Sequence, residues 1–212
     1  MLYNSHSHFY DINHCTIVNK SDDNGYEESY YSIGIHPWNA NKIEDNFFKI
    51  ERLAMSEKCL AIGEIGLDKL QGTEISIQKK AFEIQVLLSE KLKLPVILHC
   101  VKSWNEISSI KQKLKPIQTW VYHGFNKVGI LEEVINAGMM ISIGASVFTN
   151  EKLQNALKKI PNNRLLLETD EANIDIYTIY EKVSEIKKIP LSELEMIIEE
   201  NFKRIFRNGK VA

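Results

Sequence analysis

Short apolar or β-branched runs alternate with longer stretches of helical spacing along most of this chain. The runs are MLYNSH (1–6), CTIVN (15–19), YYSIGI (30–35), LAIGEI (60–65), PVILHC (95–100), TWVYHG (119–124), MMISIG (139–144) and RLLLET (164–169). Several are apolar nearly throughout, the pattern of strands covered on both faces in a parallel sheet. Between the later runs, the spacing predicts helices over 44–58, 103–114, 127–137 and 150–159. In ISIQKKAFEIQVLLSEKLK, Ile77, Ala81, Ile84, Leu88 and Leu92 recur at intervals of three and four and predict one apolar stripe. Near the C-terminus, SELE reads as a capping box from Ser192 to Glu195, with apolar Leu194, Ile197, Ile198, Phe202, Ile205 and Phe206 on one side.

Strand alternating with helix implies a parallel sheet with right-handed crossovers. Eight such runs predict an α/β fold, a TIM-type (β/α)8 barrel. Only residues 7–29 separate the first run from the third, too few for two crossover helices. The barrel is therefore expected to be trimmed or irregular in its first βα units. No linker-like tract interrupts the chain, so residues 1–212 are expected to form a single barrel domain.

Composition narrows the function classes. The net charge is −2 and the pI about 6.3, so no global positive field attracts nucleic acid. That argues against a duplex-coating protein. It leaves room for a nucleic-acid substrate held locally by metal ions. No run approaches the roughly 20 apolar residues of a membrane span. The start, MLYNSHSHFY, lacks a basic segment followed by an apolar one. Cys15, Cys59 and Cys100 are odd in number and widely spaced, forming neither a zinc-ribbon pattern nor a disulfide framework. A cytoplasmic location without membrane contact is the simplest expectation.

The candidate chemistry lies in where the histidines fall. Five of the six sit at or just past the end of a predicted strand: His6 and His8 after the first, His36 after the third, His99 after the fifth and His123 after the sixth. Only His14 does not. Glu64 ends the fourth strand and Asp170 closes LLLETD after the eighth. In a (β/α)8 barrel all strand C-termini open on one face, where active sites are built. Imidazole with carboxylate suits zinc, manganese, iron or nickel, whereas magnesium prefers oxygen ligands. These residues exceed what one tetrahedral ion needs and suit two divalent ions with a carboxylate between them.

In order and spacing, HSH, GIHP, IGEIGLD, PVILHC, HGF and LLLETD resemble the motifs of the TatD family of metal-dependent hydrolases, in the amidohydrolase superfamily. The likeness extends to QKKAFEIQ and ENFKRIF. It implies a divalent-metal-dependent phosphodiesterase, a probable deoxyribonuclease acting on DNA ends or short nucleic acids through a metal-bound hydroxide. Position by position, it implies that His6, His8 and Asp170 hold one ion, that His99 and His123 hold a second, and that Glu64 bridges the two. The metals could be Zn, Mn, Mg, Ni or Fe. His36 matches a family histidine that contacts substrate. Two departures stand out. Asn4 replaces the family's Asp two residues before His6, and the segment between His8 and Gly34 is short.

In this scheme Asp170 moves the proton of the nucleophilic water, Glu64 is both ligand and catalytic carboxylate, and Lys102 and Lys127 neutralise phosphoryl oxygens. Glu168 has two open places, at the mouth beside Asp170 or behind the ligands, and Asp68 is expected to hold the loop after Glu64. Trp38, Trp104 and Trp120 are assigned to core or rim packing. A monomer is expected. Two alternatives use the same residues: an amidohydrolase-type ester, amide or lactone hydrolase, and a non-catalytic metal-binding relative.

Overall fold

The computed structural model describes residues 1–20 and 29–206. Eight strands follow one another in sequence order through one sheet: β1 (Tyr3–Ser7), β2 (Cys15–Lys20), β3 (Tyr30–Ile33), β4 (Cys59–Asp68), β5 (Val96–Val101), β6 (Trp120–Tyr122), β7 (Met140–Ile143) and β8 (Leu165–Leu167). Among the described residues seven α-helices follow the later strands, the last two both after β8: α1 (Ile43–Ala54), α2 (Ile75–Leu92), α3 (Trp104–Leu114), α4 (Leu131–Asn136), α5 (Glu151–Leu157), α6 (Ile176–Lys187) and α7 (Leu191–Phe206). This is the (β/α)8-barrel fold. Its irregular beginning is as expected, since β1 passes to β2 through residues 8–14 with no helix.

The chain divides into two compact units, Met1–Val18 with Val121–Ala212, and Asn19–Trp120. In the first unit, β1 pairs in parallel with β2, β6 with β7, and β7 with β8. A parallel bridge between Ser7 and Asp170 joins β1 to the chain just past β8. Helix α6 was not expected from the sequence. Its β-branched and aromatic residues, IYTIYEKV, favour strand over helix. Packing overrides that preference, because Ile176, Ile179, Tyr180, Val183 and Ile186 are all buried. Asp175 caps the helix by accepting from Tyr177 N. Tyr180 Oη accepts from Tyr3 N at 3.1 Å and donates to Tyr3 O at 2.9 Å. Burial holds the Tyr180 phenol far above its ordinary pKa, so it stays neutral and able to donate. The capping box is corrected: α7 begins at Leu191, one residue before Ser192, with Pro190 O accepting from Glu193 and Leu194 N.

In the second unit, β3, β4 and β5 run parallel under α1, α2 and α3. The predicted stripe of α2 is rotated. Ile77 is 38% exposed, while Gln78 and Gln85 are buried. Both glutamines bracket backbone at or just past the end of a strand, Asp68 closing β4 and Ile35 following β3. Gln78 accepts from Asp68 N and donates to Asp68 O, and Gln85 accepts from Ile35 N and donates to Ile35 O. The satisfied amides explain how polar side chains tolerate burial here.

Candidate metal centre

Strand alternation puts His6 and His8 on the same side of β1, with ring centroids 5.5 Å apart. Past β8, the backbone of Asp170 is clamped to β1: Asp170 N donates to His6 O, and His8 N to Asp170 O, both at 3.0 Å. Asp170 takes a left-handed conformation, φ 54°, which Asp accepts more readily than most residues. Its Oδ1 lies 3.4 Å from His6 Nε2 and 3.6 Å from His8 Nε2. His6 is fully buried, while His8 and Asp170 keep about a third of their side chains exposed. His123, just past β6, lies with its ring centroid 4.6 Å from that of His6. Behind it, the fully buried Glu168 accepts from Gly124 N and approaches His123 Nδ1 at 3.5 Å.

Asn4 has a definite place in this arrangement. Its Oδ1 accepts from Thr169 N at 3.2 Å, and its Nδ2 donates to Thr169 Oγ1 at 2.8 Å. A carboxylate could not make the second bond as a donor. The amide therefore ties β1 to the segment that carries Asp170.

In the other unit, Glu64 and His99 are brought together by the contact of β4 with β5. A Cβ at Gly66 would fall 1.9 Å from His99 O, and one at Gly63 2.6 Å from Ile97 Cβ. Only glycine on both sides of Glu64 permits this approach. Glu64 Oε1 is in short contact with His99 Nδ1, and His36 Nε2 lies 3.3 Å from His99 Nδ1 and 3.5 Å from Glu64 Oε1. Asn19 holds Glu64 in place, accepting from Glu64 N at 3.2 Å and donating to Glu64 Oε2 at 3.4 Å.

The opposite edge of His99 meets Asp68, whose Oδ2 is 3.4 Å from His99 Nε2. Asp68 also accepts from Trp38 Nε1 at 2.8 Å and Leu70 N at 2.7 Å. Burial pushes the Asp68 carboxyl up, but the bonds from Trp38, Leu70 and His99 outweigh it and hold the carboxyl below its ordinary value.

Two ligand sets follow. His6, His8 and Asp170 in one unit, and His36, Glu64 and His99 in the other, each present nitrogen and oxygen atoms within 4.8 Å of one another. Both ring nitrogens of His99 face carboxylates, and a neutral imidazole can give a proton to only one. A divalent ion held by Glu64 and His99 would satisfy the other. The donor set thus fits divalent ions that accept mixed imidazole and carboxylate ligands.

The family model described as TatD related DNase matches residues 6–207. The chain belongs to the TatD-related DNase family. It is 32% identical over 201 residues to the uncharacterized metal-dependent hydrolase YabD of Bacillus subtilis, covering 86% of this chain and 79% of that protein. It is 29% identical over 203 residues to the 3'-5' ssDNA/RNA exonuclease TatD of Musicola paradisiaca, covering 84% and 77%. Among solved structures it is similar to YJJV, a TatD homolog from Escherichia coli, with a TM-score of 0.76 at 25% identity, covering 86% of this chain and 78% of that one.

In this TatD-family chain the sequence-derived residues divide. His6, His8 and Asp170 come together, and so do Glu64 and His99. His36, expected at the substrate, lies beside Glu64 and His99 in a group whose donor atoms could also hold an ion. Lys102, just after β5 with φ 50°, and Lys127, at the head of the 3-10 turn Val128–Ile130, belong to neither set. Asp68 has more to do than hold a loop, because it fixes the His99 ring. The sequence signal for this was the four-residue step from Glu64 to Asp68 along one strand, which keeps both on one face. Asp68→Ala is expected to weaken divalent-metal binding about 10- to 100-fold. Titration of metal-stripped protein with Mn²⁺ reads this directly, and an unchanged affinity would restrict Asp68 to the turn at Leu70.

Proposed function

We propose that this protein hydrolyses phosphodiester bonds at the ends of DNA or other short nucleic acids. In this reading His6, His8, Glu64, His99, His123 and Asp170 serve one centre for two divalent ions, and the 212 residues work as one domain. The observation that carries it is the pair of imidazole–carboxylate clusters at strand C-termini, with Glu64 and His99 in one and Asp170 in the other. Family membership supports the reaction class. So does the exonuclease name of the Musicola relative.

When bound, such ions would acidify water and offset charge on the phosphoryl oxygens. The chain's own residues supply the rest. Asp170 is partly exposed beside two imidazoles, so its carboxylate can take a proton from the attacking water and return it to the leaving oxygen. Glu64 is buried and gripped by Asn19, which keeps its lone pairs directed at His99 rather than at solvent. His36, partly exposed, can meet the substrate from the same cluster.

The test compares a 3′-end-labelled oligonucleotide with a panel of carboxylic esters, before and after chelation, together with elemental analysis of the purified protein. Cleavage of the oligonucleotide is expected, lost with chelator and restored by Mn²⁺ or Zn²⁺. Hydrolysis of the esters alone would move the protein to the acyl-hydrolase reading.

A further inference from the structure

Beside Glu64 and His36 the second unit holds a cleft of about 400 Å³. Its walls carry Lys20, Lys42 and Lys49 together with Asn19, Asn39 and Asn46. Among the described residues that line it, Glu64 is the one acidic side chain. For a chain with net charge −2, this is a local reversal of sign.

The reversal is built into one helical face. Lys42, the N-cap of α1, is followed by Asn46 and Lys49 at steps of four and three, and Asn39 lies ahead of them at the kink in the 3-10 turn Pro37–Lys42. Such steps place side chains in one row. The apolar residues of the same segment, Ala40, Ile43 and Phe47, pack instead against Ala81 and Ile84. Asn46 Nδ2 donates to Lys42 O at 3.0 Å, which steadies the start of the row. On the other wall, Lys20 Nζ lies 4.8 Å from the centroid of the Tyr31 ring.

Ammonium groups and amides bind non-bridging phosphate oxygens without reading a base. Lys42 and Lys49 are seven residues apart, roughly 10 Å along a helix, a span that reaches beyond a single phosphate. We propose that this cleft binds the sugar-phosphate backbone of a single nucleic-acid strand and leads it to Glu64. The inference rests on the phosphodiesterase reading above. It adds a row of lysines and asparagines that runs up to the ligand residues His36 and Glu64 and is distinct from Lys102 and Lys127.

The experiment is fluorescence anisotropy of a labelled twelve-nucleotide thymidine strand with the full chain in EDTA, across a salt series. A parallel KM measurement is made in Mn²⁺. The double variant Lys42→Glu with Lys49→Glu is expected to raise Kd about tenfold or more and to reduce the slope of log K against log salt by about 1.4, the value for two phosphate contacts on a single strand. KM should rise in parallel. Lys80→Glu with Lys91→Glu, on exposed lysines paired with Glu44 and Glu51, is expected to leave Kd within about twofold.

Wild-type Kd and slope in the Lys42/Lys49 variant would overturn the inference. So would failure of the metal-stripped wild type to bind a strand that the Mn²⁺ form cleaves, because the ions alone would then hold it. Either result leaves the phosphodiesterase reading standing. A wild type that neither binds nor cleaves any oligonucleotide removes both.

Discussion

Replacing Glu64 by Gln is expected to lower kcat/KM by about 10³-fold or more, about 4 kcal/mol of transition-state stabilisation, while leaving the metal-free protein as stable as before or more so. The two effects have one cause. Glu64 is buried with its Oε1 against His99 Nδ1 and 3.5 Å from His36 Nε2. Without a cation, a buried carboxylate carries a desolvation cost that hydrogen bonds offset only in part. The amide has no charge to desolvate. It can still accept from Asn19 Nδ2 through its oxygen, and its NH₂ can donate to a neutral His99 nitrogen. The loss falls on metal binding, since an amide is a weaker ligand than a carboxylate and cannot offset the charge of a divalent ion. The measurements are kcat/KM on an oligonucleotide and thermal melts with and without Mn²⁺. The wild type should gain stability with the ion by mass action, and the variant should gain much less. Full activity in the variant would remove Glu64 from the centre.

That trade also explains which parts of the protein were legible beforehand. The strands were, because parallel strands buried on both faces leave nearly unbroken apolar runs, as in LAIGEI and PVILHC, and each run maps onto one observed strand within a few residues. The strand-end histidines were legible for a topological reason: once the strands are parallel, their ends share one face whatever their separation in sequence. Three features were not. Helix α6 carries strand-like residues and is decided by packing of Ile179, Tyr180 and Val183. The face of α2 is set by Gln78 and Gln85, which no hydrophobic pattern assigns to the interior. The place of His36 beside Glu64 depends on the backbone path after β3, where Ile35 is held by Gln85. Each is a tertiary hydrogen bond or contact overriding a local preference. The same limit applies to the lysine row of α1, since its spacing was visible in NKIEDNFFK but the cleft it faces was not.

Trp120→Ala is expected to be the most destabilising single core substitution considered for the second unit, at about 3–5 kcal/mol. For a domain of this size that corresponds to a fall in Tm of about 2–4 °C per kcal/mol. Trp120 opens β6 with no exposed surface. Its ring meets Phe82 of α2 edge-to-face at 5.3 Å, and Lys111 Nζ of α3 lies 4.7 Å from its centroid. Burial already lowers the Lys111 pKa, with Glu90 acting in the opposite direction. Truncation to Ala would leave that ammonium over a cavity, losing the cation–π contact as well as the ring's dispersion contacts. Trp120→Phe separates these contributions. It keeps an aromatic face for Lys111 and an edge for Phe82, and it removes an indole N–H that has no hydrogen-bond partner among the described residues. The Phe variant should therefore cost about 1–2 kcal/mol, well under half the Ala value, with the smaller cavity partly offset by the lost unsatisfied donor. Denaturant midpoints for the two variants at pH 7 give the comparison. Equal losses would show that the indole nitrogen, not the ring, holds α2 and α3 on the strand, and would require a partner for Nε1.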